Sequence, residues 1–88
     1  MLTYEIKDRC LYLTGDLNYQ TLEDLWNTPF DFKNIQLVNL ARLTKLDSAG
    51  LALLVNWVVC YQIKVQEIDE KMKMLIELYN LKKILASD

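Results

Sequence analysis

Leu46-Asp47-Ser48-Ala49-Gly50-Leu51 is the stretch on which the fold turns. Ahead of it runs Ile35-Gln36-Leu37-Val38-Asn39-Leu40-Ala41, a nearly continuous apolar segment of strand length. Such a segment reads as a central strand, with Arg42 to Lys45 as the connection onward. Behind it come Leu51, Leu53, Leu54, Val55, Trp57 and Val58, apolar on almost every face of a helix, with Asn56 the main exception. A helix apolar all round is packed on more than one side, so part of its surface is expected to face something other than its own sheet. The six residues are therefore a strand-to-helix corner, with Leu54 and Val58 expected in the core and Leu51, Val55 or Trp57 as contacts for a partner.

Toward the N-terminus, Leu2 to Ile6 and Cys10 to Thr14 alternate apolar and polar residues, and the short charged Lys7-Asp8-Arg9 between them suits a hairpin turn. Gly15-Asp16 is expected to break the second strand. Leu22, Leu25 and Trp26 recur at helical spacing behind Asn18 or Thr21, either a suitable N-cap, and Pro29 stops that helix. Toward the C-terminus, Tyr61, Ile63 and Val65 alternate with Gln62, Lys64 and Gln66 as a strand does. Asp69 then caps a last helix that gathers Met72, Leu75, Ile76, Tyr79 and Ile84 on one side. The order β-β-α-β-α-β-α predicts an α/β (α+β) domain over residues 1–88, a mixed sheet with helices packed on it.

Composition narrows the function. The 88 residues carry 10 Lys and Arg against 12 Asp and Glu, a net charge of −2, which gives no footprint for nucleic acid. No His is present, removing the commonest general base, the usual nucleophilic triad and any His-ligated zinc site. Cys10 and Cys60 form no disulfide framework and read as small buried apolar residues. The 15 residues from Ala49 to Ile63 are interrupted by Gly50, Asn56 and Gln62 and fall short of the ~20 needed to cross a bilayer. The opening residues show no basic segment followed by an apolar one. A non-enzymatic cytoplasmic protein, without metal or cofactor and without membrane insertion, is the expectation.

The Asp47-Ser48-Ala49-Gly50-Leu51 corner behind an apolar strand resembles the signature of STAS domains, a family named for sulfate transporters and anti-sigma-factor antagonists. Gly15-Asp16-Leu17 followed by Leu22, Leu25 and Trp26, together with Leu78-Tyr79-Asn80-Leu81, resembles one branch of that family. That branch is the small cytoplasmic STAS subunit of a phospholipid-transport ABC complex of Gram-negative bacteria. This resemblance implies an accessory subunit that binds the ATPase of the transporter and lies peripheral to the inner membrane through it, in a complex that maintains outer-membrane lipid asymmetry. It places the family's functional hydroxyl on Ser48 and the partner surface at Asp47, Ser48, Ala49, Gly50, Leu51 and Val55. The other branch implies a regulatory module, an anti-sigma-factor antagonist switched by phosphorylation of Ser48. One departure stands out. The chain is shorter than the resemblance implies between Val55 and Ile68, and no Gly or Pro follows Gly50. Either the corner helix ends near Trp57–Val59, or two copies exchange a strand or helix as a homodimer, which short hinges favour.

At the corner itself, Ser48 is expected to cap the helix, a contribution of ~1 kcal/mol relative to Ala. Asp47 is expected to fix the loop by accepting backbone N–H bonds. Gly50 lets a neighbouring backbone or a partner come close. A hydrolase built on Ser48 would need a lysine as base, and local spacing places none beside it.

Overall fold

The computed structural model describes residues 2–85. Strand β1 (Leu2–Lys7) turns at Asp8 and Arg9 into β2 (Cys10–Leu17), and the two pair antiparallel in register from Leu2↔Gly15 to Lys7↔Cys10. Both turn residues have left-handed φ, 52° and 65°, as a two-residue hairpin turn matching the strand twist requires. The sequence expectation of a charged hairpin is met.

Gly15-Asp16 does not break β2. Gly15 adopts φ 106°, and the parallel register against strand β4 (Leu43–Leu46) shifts between Gly15 and Asp16. The irregularity lets one strand serve two partners. Cys10–Tyr12 pairs in parallel with β3 (Leu37–Asn39), and Gly15–Leu17 pairs in parallel with β4. The segment read as a connection, Arg42 to Lys45, is therefore largely strand. Strand β5 (Lys64–Gln66) closes the far side of β3, giving a five-stranded sheet ordered β1-β2-β3-β5 with β4 alongside β2.

Helix α1 (Leu22–Trp26) is one turn and a half long, and a 3₁₀ turn at Phe32–Asn34 follows it. Of the three residues expected on its apolar face only Leu25 is buried, and Trp26 is 62% exposed. Thr21 holds the N-cap place but donates its hydroxyl back to the Asp16 carbonyl at 2.8 Å instead of capping.

Helix α2 (Ser48–Tyr61) does not end early: it runs 14 residues. The missing glycine is replaced by Gln62, which takes the left-handed conformation, φ 56° and ψ 39°, and turns the chain into β5. Glu67 (φ 60°) does the same between β5 and helix α3 (Glu70–Leu78). Non-glycine residues in that region cost roughly 1–2 kcal/mol each, and the burial of Ile63 and Val65, ~1.5–3 kcal/mol per side chain, offsets this. The short connection closes within one chain, with β5 lying on its own β3.

The last helix is two helices. The Leu81 N–H donates to the Ile76 carbonyl at 2.9 Å and the Asn80 N–H to the Glu77 carbonyl at 3.0 Å, with Asn80 at φ 57°. This pair of bonds around a left-handed residue is a Schellman terminus. It ends α3 and redirects the chain into α4 (Lys82–Leu85). Asp69 caps α3 as expected, accepting the Met72 N–H at 2.8 Å.

Leu11, Leu13, Val38, Val65, Leu53, Leu54, Trp57, Met72 and Ile76 belong to one buried cluster between sheet and helices. At its margin Phe30 and Phe32 pack edge-on and tilted against Trp57, and Phe32 stacks on Tyr61 at 4.0 Å. The other sheet face is polar. There Arg42 lies over the Tyr12 ring and 3.8 Å from Glu5, and the neighbouring Cys10 thiol holds the Tyr12 phenol above its ordinary pKa. Cys60 is exposed on the outer side of α2, against the expectation of burial, while Cys10 is buried.

Candidate functional site

The ends of β2 and β4 converge on the first turn of α2, and hydrogen bonds from both sides hold the corner. Asp47, not Ser48, is the N-cap: its backbone is extended, and its Oδ1 accepts the Gly50 N–H at 2.9 Å. Its Oδ2 accepts the N–H of Tyr19, 28 positions earlier, at 3.1 Å, and its own N–H donates to the Leu17 carbonyl at 3.2 Å. The reading of Asp47 as the residue that fixes the loop is met. The capping role given to Ser48 passes to its neighbour because the carboxylate reaches two donors at once.

Gly50 is buried, and the approach it permits is internal. A Cβ there would lie 2.7 Å from both the Leu17 Cγ and the Leu17 carbonyl oxygen, and 2.9 Å from the Leu46 Cδ1. The absent side chain thus seats α2 on the ends of the two strands it follows in space. Leu51, expected at the partner surface, is 1% exposed and lies in the core, as does Trp57. Trp57, nine residues on, lies on the side of α2 opposite Ser48, whereas Leu51 is the i+3 neighbour of Ser48 on the helix and turns inward beside it. Leu54 is buried as expected, and Val58 is half-buried.

What remains at the surface is a narrower set. Ser48 and Ala52 are exposed, Asp47, Ala49 and Val55 are half-exposed, and Val59 further along the same side is 62% exposed. Ser48 is the first helical residue, so its hydroxyl is presented by a helix already capped. Toward one side the corner borders a cleft of mixed character, lined by Tyr19, Leu46 and Met72 as well as by Lys45, Asp47 and Lys71. Toward the other it borders a groove of about 320 Å³ lined by Ser48, Leu51, Ala52, Tyr79 and Leu81.

The sequence reading missed Tyr19 as a neighbour of Asp47 and Ala52 and Tyr79 as neighbours of Ser48. Tyr19 and Tyr79 lie far away in the chain and carry no local signal; Ala52 is one small residue in an apolar run. Among the described residues, no group of three or more His, Cys, Asp or Glu is placed to hold a metal ion, and no helix is long and apolar enough to cross a membrane.

Comparison with solved structures shows the fold. The anti-sigma factor antagonist SpoIIAA in its unphosphorylated form superposes with a TM-score of 0.61 over 89% of this chain and 83% of that one, at 13% identity. This is the STAS fold, as the corner implied. No protein-family model matches the chain. Over 77 residues, 81% of this chain and 79% of the relative, the chain is 31% identical to the intermembrane phospholipid transport system binding protein MlaB of Escherichia coli (strain K12). The same figures hold for MlaB of Shigella flexneri. The chain, a STAS domain protein, therefore belongs to the MlaB family.

Proposed function

We propose that the chain is a non-enzymatic accessory subunit of an intermembrane phospholipid transporter of the ABC type, working through its ATPase subunit at the cytoplasmic face of the inner membrane and serving outer-membrane lipid asymmetry. The observation that carries this reading is the kinship with MlaB along four-fifths of the chain. The corner's architecture is consistent with it. Every strong bond of Asp47 and the close approach of Gly50 are internal, so the backbone that carries the exposed Ser48 is fixed by the chain itself. A preorganised surface loses little freedom on binding. The neighbouring Asp47 carboxylate is engaged by the Gly50 and Tyr19 N–H groups and not by the Ser48 hydroxyl, which supports a docking role over nucleophilic chemistry. Asp47, Ser48, Ala49 and Val55 are the contacts in this reading, with Gly50 and Leu51 supporting them from beneath.

Co-expression with the ATPase subunit of its own transport system tests the proposal. The wild-type chain should co-purify with that subunit, and Ser48→Glu should abolish capture while leaving the far-ultraviolet dichroism and melting temperature essentially unchanged. Normal recovery of the ATPase by Ser48→Glu would remove the corner from the interface.

A second reading, a regulatory module switched by phosphorylation of Ser48, draws on the exposure of that residue at the start of a 14-residue helix, where a phosphate is electrostatically favoured. Against it, Asp47 already occupies the Gly50 N–H and sets a like charge next to the phosphate. Intact-mass measurement of the protein from its native host separates the two: a phosphorylated form localised to Ser48 favours the switch.

A further inference from the structure

We propose that strand β1 is a self-association edge. Two copies of the chain pair antiparallel through it, Ile6 lying opposite Ile6 of the second copy and Glu5 of each copy opposite Lys7 of the other. No element is exchanged. The contact does not depend on the docking role given to Ser48, because Glu5, Ile6 and Lys7 line neither the cleft nor the groove beside that residue.

The edge is open and regular. Among the described residues β1 pairs only with β2, and that register runs unbroken over six residues with no proline or bulge to blunt it. Backbone parity decides which groups face outward. The Gly15 N–H donates to the Arg42 carbonyl at 3.2 Å, and the Arg9 carbonyl accepts the Gln36 N–H at 2.8 Å. The odd-numbered residues of β2 therefore turn their backbone groups away from β1. Antiparallel ladders alternate, so the residues facing Leu13 and Leu11, which are Tyr4 and Ile6, turn their own N–H and C=O groups away from β2. These groups are available to a second ladder, and an edge of this kind is a template for another strand.

The side chains agree. Tyr4 and Ile6 stand on the core side of the sheet across from leucines that are 0% exposed, yet are themselves 48% and 46% exposed. The sheet ends there, and one more strand completes the cover. Phe30 already backs Tyr4 edge-on at 4.9 Å. Charge then selects the occupant and the register. Outward groups meet outward groups when the two-fold axis passes through a residue of β1. Through Glu5, the axis sets two carboxylates opposite each other, which is destabilising. Through Tyr4, Glu5 meets Thr3 and no charge is matched. Through Ile6, Glu5 meets Lys7 twice, at the positions without hydrogen bonds where side chains approach most closely. Arg42 stands 3.8 Å from Glu5, so the carboxylate gains a second cation from the other copy. An acidic-apolar-basic run on an open edge is complementary to an antiparallel copy of itself.

Sedimentation equilibrium of the full chain tests the pairing between about 10 µM and about 1 mM, the range in which so small an interface associates. The mass should rise from the 10.4 kDa of the monomer toward twice that value. Glu5→Lys and Lys7→Glu, made singly, should each weaken association about tenfold, because two attractive cross-strand pairs become repulsive. The two changes together should restore it. Both side chains are exposed, so an unchanged melting temperature accompanies each variant. For the register, Ile6→Cys in a Cys60→Ser background should form an inter-chain disulfide under mild oxidation, since directly paired Cα atoms lie about 5.5 Å apart. A wild-type chain that stays monomeric throughout, single reversals that associate like wild type, a double reversal that stays monomeric, or cross-linking through Tyr4→Cys in place of Ile6→Cys would each overturn the proposal.

Discussion

Replacing Gly50 with alanine tests the packing that positions Ser48. Two effects of opposite sign compete. In a helix interior alanine is better than glycine by about 1 kcal/mol, so on an open helix face the substitution would stabilise. Here the new methyl would meet the Leu17 Cγ and the Leu17 carbonyl oxygen at 2.7 Å and the Leu46 Cδ1 at 2.9 Å. The Leu46 methyl can yield, whereas the Leu17 Cγ is the branch point of a fully buried side chain. The Leu17 carbonyl cannot yield cheaply, because it accepts the Asp47 N–H that holds the start of α2 on the sheet. Overpacking of this kind costs about 1–3 kcal/mol, and a clash that includes backbone belongs to the upper half. The net expectation is a loss of about 1–2 kcal/mol. For a domain of this length that is a fall in melting temperature of about 4–16 °C, read by circular dichroism with an unchanged denaturant m-value. Ala52, two residues on and exposed, supplies the control. There alanine is the favoured residue, and Ala52→Gly should destabilise by about 1 kcal/mol. A Gly50→Ala protein that melts at or above the wild-type temperature would refute the close approach and, with it, the account of how the backbone at Ser48 is fixed.

Three further outcomes follow from the same geometry. Asp47→Ala removes acceptors for both Gly50 and Tyr19 and should cost about 1–2 kcal/mol, a larger fall in melting temperature than Asp47→Asn, which keeps one oxygen. Gln62→Gly relieves the left-handed residue at the end of α2 and should raise stability by about 0.5–1 kcal/mol; a loss in chemical denaturation would show that the Gln62 side chain contributes more than its backbone costs. Under native conditions a maleimide should modify Cys60 rapidly and Cys10 only after unfolding, read by peptide mass spectrometry; simultaneous labelling of both would contradict the buried placement of Cys10.

The sheet and its helices were legible where a side-chain period was long enough to speak. Leu2–Lys7, the charged turn and the apolar corner helix follow from alternation and composition, and the corner residues pointed to the STAS fold. The misreadings share a cause. Strand β4 is four residues with only Leu43 buried, too short for a period, and exists because a bulge at Gly15 offers it a partner. The ends of α2, β5 and α3 carry no glycine because Gln62, Glu67 and Asn80 take the left-handed conformations that sequence habit reserves for it. At the corner, the choice between Ser48 and Asp47 as cap was settled by Tyr19, whose N–H comes from a distant loop. Local pattern cannot report a donor 28 positions away.

That last contact also explains why an apolar helix can carry a polar, exposed opening. The buried side of α2, Gly50, Leu51, Leu54 and Trp57, supplies the burial that anchors it, so the opposite side is free of any packing duty near its start. Asp47 then satisfies the Gly50 N–H of the first turn, a task that would otherwise fall to the side chain of a serine in the capping position. A hydroxyl relieved of capping keeps its donor and both lone pairs. The division of labour between adjacent residues, one carboxylate bonded inward and one exposed serine, predicts that Ser48 can be replaced by a larger polar side chain with little loss of stability, and under the proposed docking role that the same change costs most of the binding. If Ser48→Glu instead melts as low as Asp47→Ala, the hydroxyl is part of the helix start after all, and the docking surface must be sought on the aromatic margin formed by Phe30, Phe32 and Tyr61.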